Sequence, residues 1–303
     1  MISNTGKLAG KTVVITGASR GFGASIAEKV GRDGANVVVL AKTVEKLDKL
    51  PGTIFETARR VKEAGGNCLP IQLDVRDEVA VKNAINATID HFGGIDVLIN
   101  NASAMFPSRL ENLETKRFLL MNDVILKGTF FMTKYSLPHL KQSNHGHVLN
   151  ICPPIQVVDS WFKHLNHLAV MKYSVSLSTL ALSQDLKEYN IGVNALWPKT
   201  AFWSGFMARA GGYTEKLKQF CRKPDIMSDA AYVMISQDPK TFSGNFVFDD
   251  DLLHEKAGVT DFDVYSETPG NPLMMDIFVK DEDCKTFTPL ASSEDAMQLL
   301  NHL

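Results

Sequence analysis

TVVITGASRGFG, residues Thr12–Gly23, decides the fold. It runs from a short stretch rich in β-branched residues straight into a glycine-rich turn, and then into the helical pattern ASIAEKV. Val and Ile side by side, with no polar alternation, predict a strand buried on both faces, as in a parallel sheet. Gly17, Gly21 and Gly23 allow a tight turn that brings backbone close to a pyrophosphate. The helix that follows presents unpaired N–H groups and a partial positive charge at its start. Between the first strand and first helix of a βαβ unit, such a turn points to a dinucleotide-binding crevice.

The same texture continues outward from this stretch. Further β-branched runs at Asn36–Leu40, Cys68–Leu73, Ile95–Ile99, His147–Ile151 and Gly192–Leu196 alternate with helical patterns such as Gly23–Asp33 and Val79–Phe92. Longer helices are expected around Glu114–Leu140 and Leu165–Tyr189. A helix near Ser228–Ser236 leads to a seventh strand at Asn245–Phe248. This order predicts an α/β fold, a doubly wound parallel sheet of Rossmann type, in one domain covering residues 1–250. Residues 251–303 turn acidic and proline-containing. They read as an extension packed on the domain, its end partly mobile, with one helix-like stretch at Ser293–Leu300.

Bulk properties narrow the function. The chain has 303 residues with 45% hydrophobic and 22% charged content, enough for a core that needs no metal or disulfide. A net charge of −2 offers no polyanion-binding face, which argues against nucleic acid. Cys68, Cys152, Cys221 and Cys284 are widely spaced, so neither a disulfide framework nor a zinc site is expected. A reducing, cytoplasmic setting fits. No secretory signal and no membrane span is expected. Asn301-His302-Leu303 only loosely resembles a peroxisomal tripeptide.

Three further motifs sit at matching distances from the TGxxxGxG turn: Asp74-Val75 after the third strand, Asn100-Asn101-Ala102-Ser103 after the fourth, and Trp197-Pro198-Lys199-Thr200 after the sixth. Together they resemble the short-chain dehydrogenase/reductase family over about residues 8–250. The resemblance implies a nicotinamide cofactor held by Gly17, Ser19, Arg20, Gly21, Phe22, Gly23, Asp74, Val75, Asn101, Ala102, Ser103, Lys172, Pro198 and Thr200. It also implies pairing through the two long helices into a homodimer or homotetramer. Lipid metabolism is the implied context, with a small apolar or lipid-like carbonyl ligand and with peroxisome or mitochondrion as alternative locations.

Cofactor choice follows from charge. NAD sites usually end the second strand with an acid that binds the ribose hydroxyls. Here the strand ends Leu40-Ala41-Lys42-Thr43. Lys42 and Arg20 offer two cations to a 2′-phosphate instead, which selects NADP(H).

The family reduces a carbonyl with hydride from the nicotinamide, while a tyrosine delivers the proton. A serine holds the substrate oxygen, a lysine lowers the tyrosine pKa, and an asparagine anchors a water relay. The lysine falls on Lys172. The tyrosine position falls on Leu168, the serine position on Cys152 and the asparagine position on Ile125. Leucine and isoleucine have no proton to give, and a thiol is a weak donor. Tyr173 is about 100° further round the helix. His164, four residues before Leu168, is the one replacement acid on that face. A positioned general acid is worth roughly 10²–10⁴ in rate. The reading is therefore an NADP(H)-binding relative, catalytically impaired and kept for binding or regulation. The alternative is an active NADP(H)-dependent oxidoreductase that uses His164 or a substrate-supplied proton. A third class, a ligand carrier that binds no nucleotide, would leave the glycine turn unused.

Overall fold

The computed structural model describes residues 1–46, 51–106, 108–156, 159–204, 215–280 and 290–291, with the backbone alone at 160, 163–164, 215–216 and 290–291. The expected helix at 293–300 lies outside these residues, as do Cys284 and the last three positions.

Seven parallel strands form one sheet in the order β3-β2-β1-β4-β5-β6-β7. They are β1 (Thr12–Thr16), β2 (Asn36–Ala41), β3 (Asn67–Gln72), β4 (Val97–Asn100), β5 (His147–Ile151), β6 (Gly192–Trp197) and β7 (Phe246–Phe248). Every residue of β1 and of β6 is buried, as continuous apolar runs require. Val13 pairs with Val37 on one side and Val97 on the other. Successive side chains along a strand alternate between faces. Val13 and Ile15 therefore join the core cluster that holds Ile26 and Val30, while Val14 joins the opposite one with Val81 and Ile85. Burying each such side chain stabilises the fold by about 1.5–3 kcal/mol.

The helices are α1 (Gly21–Arg32), α2 (Ile54–Glu63), α3 (Glu78–Phe92), α4 (Thr115–Met121), α5 (Gly128–Leu140), α6 (Asp159–Asp185), α7 (Glu215–Lys218), α8 (Asp225–Ile235) and α9 (Asp249–Ala257). Local chemistry sets several ends. Thr53 and Glu56 form a reciprocal capping box on α2, and Asp77 accepts from two first-turn N–H groups of α3. The strand order reverses between β1 and β4, so the crevice opens there, at the carboxyl ends of the strands.

Three features differ from the sequence reading. The helix expected around Glu114–Leu140 contains a π-helical turn at Asn122–Lys127, between α4 and α5. Helix α6 begins earlier than expected and has non-helical backbone at Leu165 (φ −112°, ψ 17°). Helix α9 lies across the boundary placed at residue 250. Its signal was present in the sequence: Asp249, Asp250 and Asp251 complement the helix dipole at the start, and Gly258 ends it with φ +67°.

Candidate active site

The glycine-rich turn follows β1 with Gly17 at φ +66° and Gly21 at φ +57°, conformations that a side chain would strain. Gly23 is required for a different reason. A Cβ there would lie 2.6 Å from Asn101 Nδ2 and 2.8 Å from the Gly17 carbonyl oxygen. Asn101 staples the turn, donating from Nδ2 to the carbonyls of Thr16 (2.9 Å) and Gly17 (3.2 Å). Thr16 Oγ1 accepts in return from the backbone N–H groups of Asn101 and Ala102, both at 3.0 Å. The sequence reading gave Asn101 to the cofactor and left Thr16 out. Residue 20, which precedes α1, supplies no side-chain cap, so no side chain occupies the first-turn N–H groups from that position.

A cavity of about 800 Å³ opens beside this turn. Gly17, Ser19, Arg20, Lys42, Asp74, Val75, Asn101, Ala102 and Ser103 are part of its lining. Among the described lining residues, Gly21, Phe22, Gly23, Lys172, Pro198 and Thr200 do not appear. The remaining wall comes from the loop after β4 and from α4, including Met105, Phe106, Leu113 and Arg117, with Val124 from the π turn. These residues were not singled out in the sequence. Their loop has no periodicity, and only Val124 sits at a fixed spacing from Ile125.

Electrostatics in the cavity centre on Asp74. Arg76 grips its carboxylate from Nε at 2.9 and 3.0 Å and from Nη2 at 2.6 Å, and Lys42 Nζ lies 3.1 Å away. Chiefly through Arg76, its pKa is held well below the usual carboxylate range. Arg20 donates to the carbonyls of Pro51 (3.1 Å) and Gly52 (3.0 Å). The cavity thus carries cations at Arg20, Lys42 and Arg117, and both acids in its described lining, Asp74 and Glu114, are already paired.

The positions expected for catalysis are not in the described lining. Ile125, in the π turn, is 2% exposed, Cys152 is 0% and Leu168 is 1%. Cys152 follows β5 and its sulfur lies 3.7 Å from Thr179 Oγ1. It ends a buried polar chain in which Asn100 donates to Thr133 and Asn150, and Asn150 donates to Thr179. Burial pushes the Cys152 thiol pKa up, which disfavours a thiolate nucleophile.

Lys172 is 5% exposed and donates from Nζ to the Ile151 carbonyl at 3.0 Å. Burial lowers its pKa from 10.5 to about 8. The expectation for His164 assumed an unbroken helix. The kink at Leu165 interrupts the register between 164 and 168, and the His164 side chain lies outside the described residues. Tyr173 turns away from this set: its hydroxyl donates to the Gln156 carbonyl at 2.6 Å, and its ring stacks on Phe162.

Residues beyond α9 return to this end of the molecule. Trp197, Gln156 and Trp161 donate to the successive carbonyls of Ile277 (2.9 Å), Phe278 (2.9 Å) and Val279 (3.0 Å). Thr200 is bridged to Met275, and Lys199 Nζ is buried against Asp250 at 3.0 Å. Among the described residues no cluster of acids, cysteines and histidines could hold a metal ion, and no helix is long and apolar enough to cross a membrane.

A doubly wound sheet of this order, with a stapled TGxxxGxG turn at its switch point, is the architecture of an oxidoreductase family that binds nicotinamide dinucleotides. The chain belongs to the short-chain dehydrogenase family, whose model matches residues 11–204. Within it, the chain is 45% identical over 297 residues to hydroxysteroid dehydrogenase-like protein 2 of Bos taurus, covering 98% of this chain and 70% of that protein. Its identity to the protein of the same name from Xenopus tropicalis is 48% over 281 residues, covering 92% and 66%. Curated relatives of this name are matched over 56% to 70% of their length. A crystal structure of a putative dehydrogenase from Xanthomonas campestris superposes with a TM-score of 0.86 at 39% identity, over 90% of this chain and 99% of that one.

Proposed function

We propose that this protein binds NADP(H) in the cavity beside the glycine turn, has given up the family's proton-transfer route, and serves a binding or regulatory role. One observation carries the reading. The three positions that should hold Asn, Ser and Tyr hold Ile125, Cys152 and Leu168, all buried, beside a Lys172 engaged by a backbone carbonyl. Losing a general acid and an oxyanion donor removes most of the family's rate advantage.

The adenosine side of the cavity suits the nucleotide. Gly17 and Gly23 give a backbone approach that any Cβ would block. The first turn of α1 offers N–H groups to the pyrophosphate. Arg20 and Lys42 would hold the 2′-phosphate, with Lys42 already drawn toward the cavity rim by Asp74. Bound NADPH would supply a hydride; the side chains described at Ile125, Cys152 and Leu168 offer no hydroxyl or carboxyl to match it with a proton.

A small apolar or lipid-like carbonyl compound is the second ligand class we assign, with lipid metabolism as its context. The apolar wall of Met105, Phe106 and Leu113 and the names of the relatives support it. Exposed Phe130 on α5 and Val170 and Leu177 on α6 support a homodimer or homotetramer. Of the extension expected over residues 251–303, we propose that the described part up to residue 280 packs on the nucleotide-binding domain, supported by the tryptophan bonds to Ile277 and Val279. Free, buried thiols at Cys68, Cys152 and Cys221 suit the reducing cytoplasm that we assign as the location.

A thermal-shift titration with NADPH and NADH side by side tests the reading. NADPH at about 100 times its dissociation constant should add roughly 2.7 kcal/mol of stability, with little effect from NADH. NADPH-dependent carbonyl turnover that Lys172→Ala abolishes would overturn the claim of lost chemistry.

A further inference from the structure

We propose that the cleft recognises its nucleotide through the adenosine half alone, taking an adenosine that carries phosphate at the 2′ and 5′ positions, and that a stack of Phe22 on Phe202 stands where the other half of a dinucleotide would lie. This deepens the NADP(H) reading and rests on it.

A full dinucleotide crosses the switch point, one half over β1, β2 and β3, the other over β4, β5 and β6. The first half has its cavity, with Arg20 and Lys42 at the rim and Val75 within. Beyond Asn101 the described lining does not proceed across β5 and β6. It turns along the loop after β4 toward Phe106 and Arg117, whose guanidinium sits 4.2 Å over the Phe106 ring.

Two aromatic side chains from opposite sides of the switch point meet instead. Phe22, in the first turn of α1, meets Phe202, two residues beyond Thr200, with ring centroids 3.7 Å apart. Phe22 follows β1 and Phe202 follows β6, so the contact joins chain segments from two strands that β4 and β5 separate in the sheet. Phe22 is 9% exposed and Phe202 is half-buried against the same core cluster, so the two rings are already packed together. Thr200 is 2% exposed and bridged to Met275. Lys172, which the family pattern assigns to the second ribose, donates to Ile151 instead. A nicotinamide ring would have to separate two packed aromatic rings and would gain no bond from Lys172 in this arrangement.

Isothermal titration of the native chain with adenosine 2′,5′-bisphosphate and with NADPH, alongside NADPH fluorescence, decides the matter. The dissociation constants should agree within about tenfold, a difference of only about 1.4 kcal/mol, and the bound nicotinamide should keep its solvent-like emission. NADPH binding on the order of 100-fold tighter than the bisphosphate, or a strong emission gain on binding, would overturn the inference while leaving the NADP(H) reading standing. Failure of both ligands to bind would overturn both. Phe202→Leu should tighten NADPH binding by about tenfold and bring the emission gain, with the bisphosphate constant unchanged as the control. An unchanged NADPH constant in a variant that still binds the bisphosphate would count against the stack. Should Phe202→Leu fail to fold, displacement of NADPH by the bisphosphate on the native chain still decides, since a nucleotide held by both halves would resist displacement at comparable concentration.

Discussion

Lys172 gives its ammonium to the Ile151 carbonyl at 3.0 Å, across the gap between α6 and the end of β5. The bond ties the lysine that the family pattern places in the catalytic set into the fold. It also makes the lysine a stability element, and burial sets its sign.

The Lys172 pKa falls from 10.5 to about 8 because burial penalises the charged form. The unfolded chain therefore binds more protons than the folded one between pH 8 and 10.5, so stability from this group rises with pH across that window, by about 1.4 kcal/mol per unit at most. Below pH 8 the full penalty is present. Lys172→Met removes the penalty and also the Ile151 bond, which is worth about 1 kcal/mol. Urea unfolding of both proteins from pH 7 to 10 should show the native chain gaining on the variant as pH rises. A constant difference would mean that the lysine is not held in this way.

Leu168→Tyr puts the family's residue back into a fully packed position. Overpacking and an unpaired hydroxyl should cost about 1–3 kcal/mol, and the single variant should show no NADPH-dependent reduction. Turnover should appear only when Cys152→Ser, Ile125→Asn and Phe202→Leu are added, with a gain on the order of 10² from the restored acid. Activity in the single variant would show that tyrosine alone was missing.

Lys42→Glu tests the cationic rim. The lysine side chain is 60% exposed and its pairing with Asp74 is a surface contact, so folding stability should change little. The NADPH dissociation constant should rise by about tenfold or more through repulsion of the 2′-phosphate, while any NADH binding holds or improves. Equal loss for both nucleotides would place the phosphate elsewhere.

Gly23→Ala forces a Cβ against Asn101 Nδ2 and the Gly17 carbonyl. The turn must open, so the nucleotide-induced thermal shift should disappear, with a stability loss of about 1–3 kcal/mol from overpacking. Gly21→Ala is the contrasting case: nothing lies within 4 Å of its added Cβ, and only the φ of +57° is strained. It should lose less of the shift than Gly23→Ala. The reverse ranking would argue against the staple made by Asn101.

Much of this molecule was legible in the sequence. β1, the glycine turn and the alternation of strands and helices follow from patterns spanning a few residues each, because strand and helix periodicity and positive-φ glycines are local requirements. The assignment of Ile125, Cys152 and Leu168 to the family's Asn, Ser and Tyr positions rests on their spacing from Gly128, from the end of β5 and from Lys172, and the structure adds that all three are buried. The start of α9 is legible in Asp249, Asp250 and Asp251, where the sequence reading gives an acidic extension.

Other features depended on parts of the chain that meet only when folded. Phe22 and Phe202 stack across 180 positions of sequence, and Trp161 finds the Val279 carbonyl 118 residues on. Arg20 bonds Gly52, and Lys42 turns to Asp74 rather than standing free for a phosphate. The kink at Leu165, which breaks the register that led to His164, also left no glycine or proline to announce it. Sequence alone determined the strands, the helices and the glycine turn, since side-chain periodicity and backbone freedom fix those within single elements. Only the tertiary structure decided where the cavity runs and what Lys172 binds, because those depend on which distant loops pack over the strand ends once the sheet has formed.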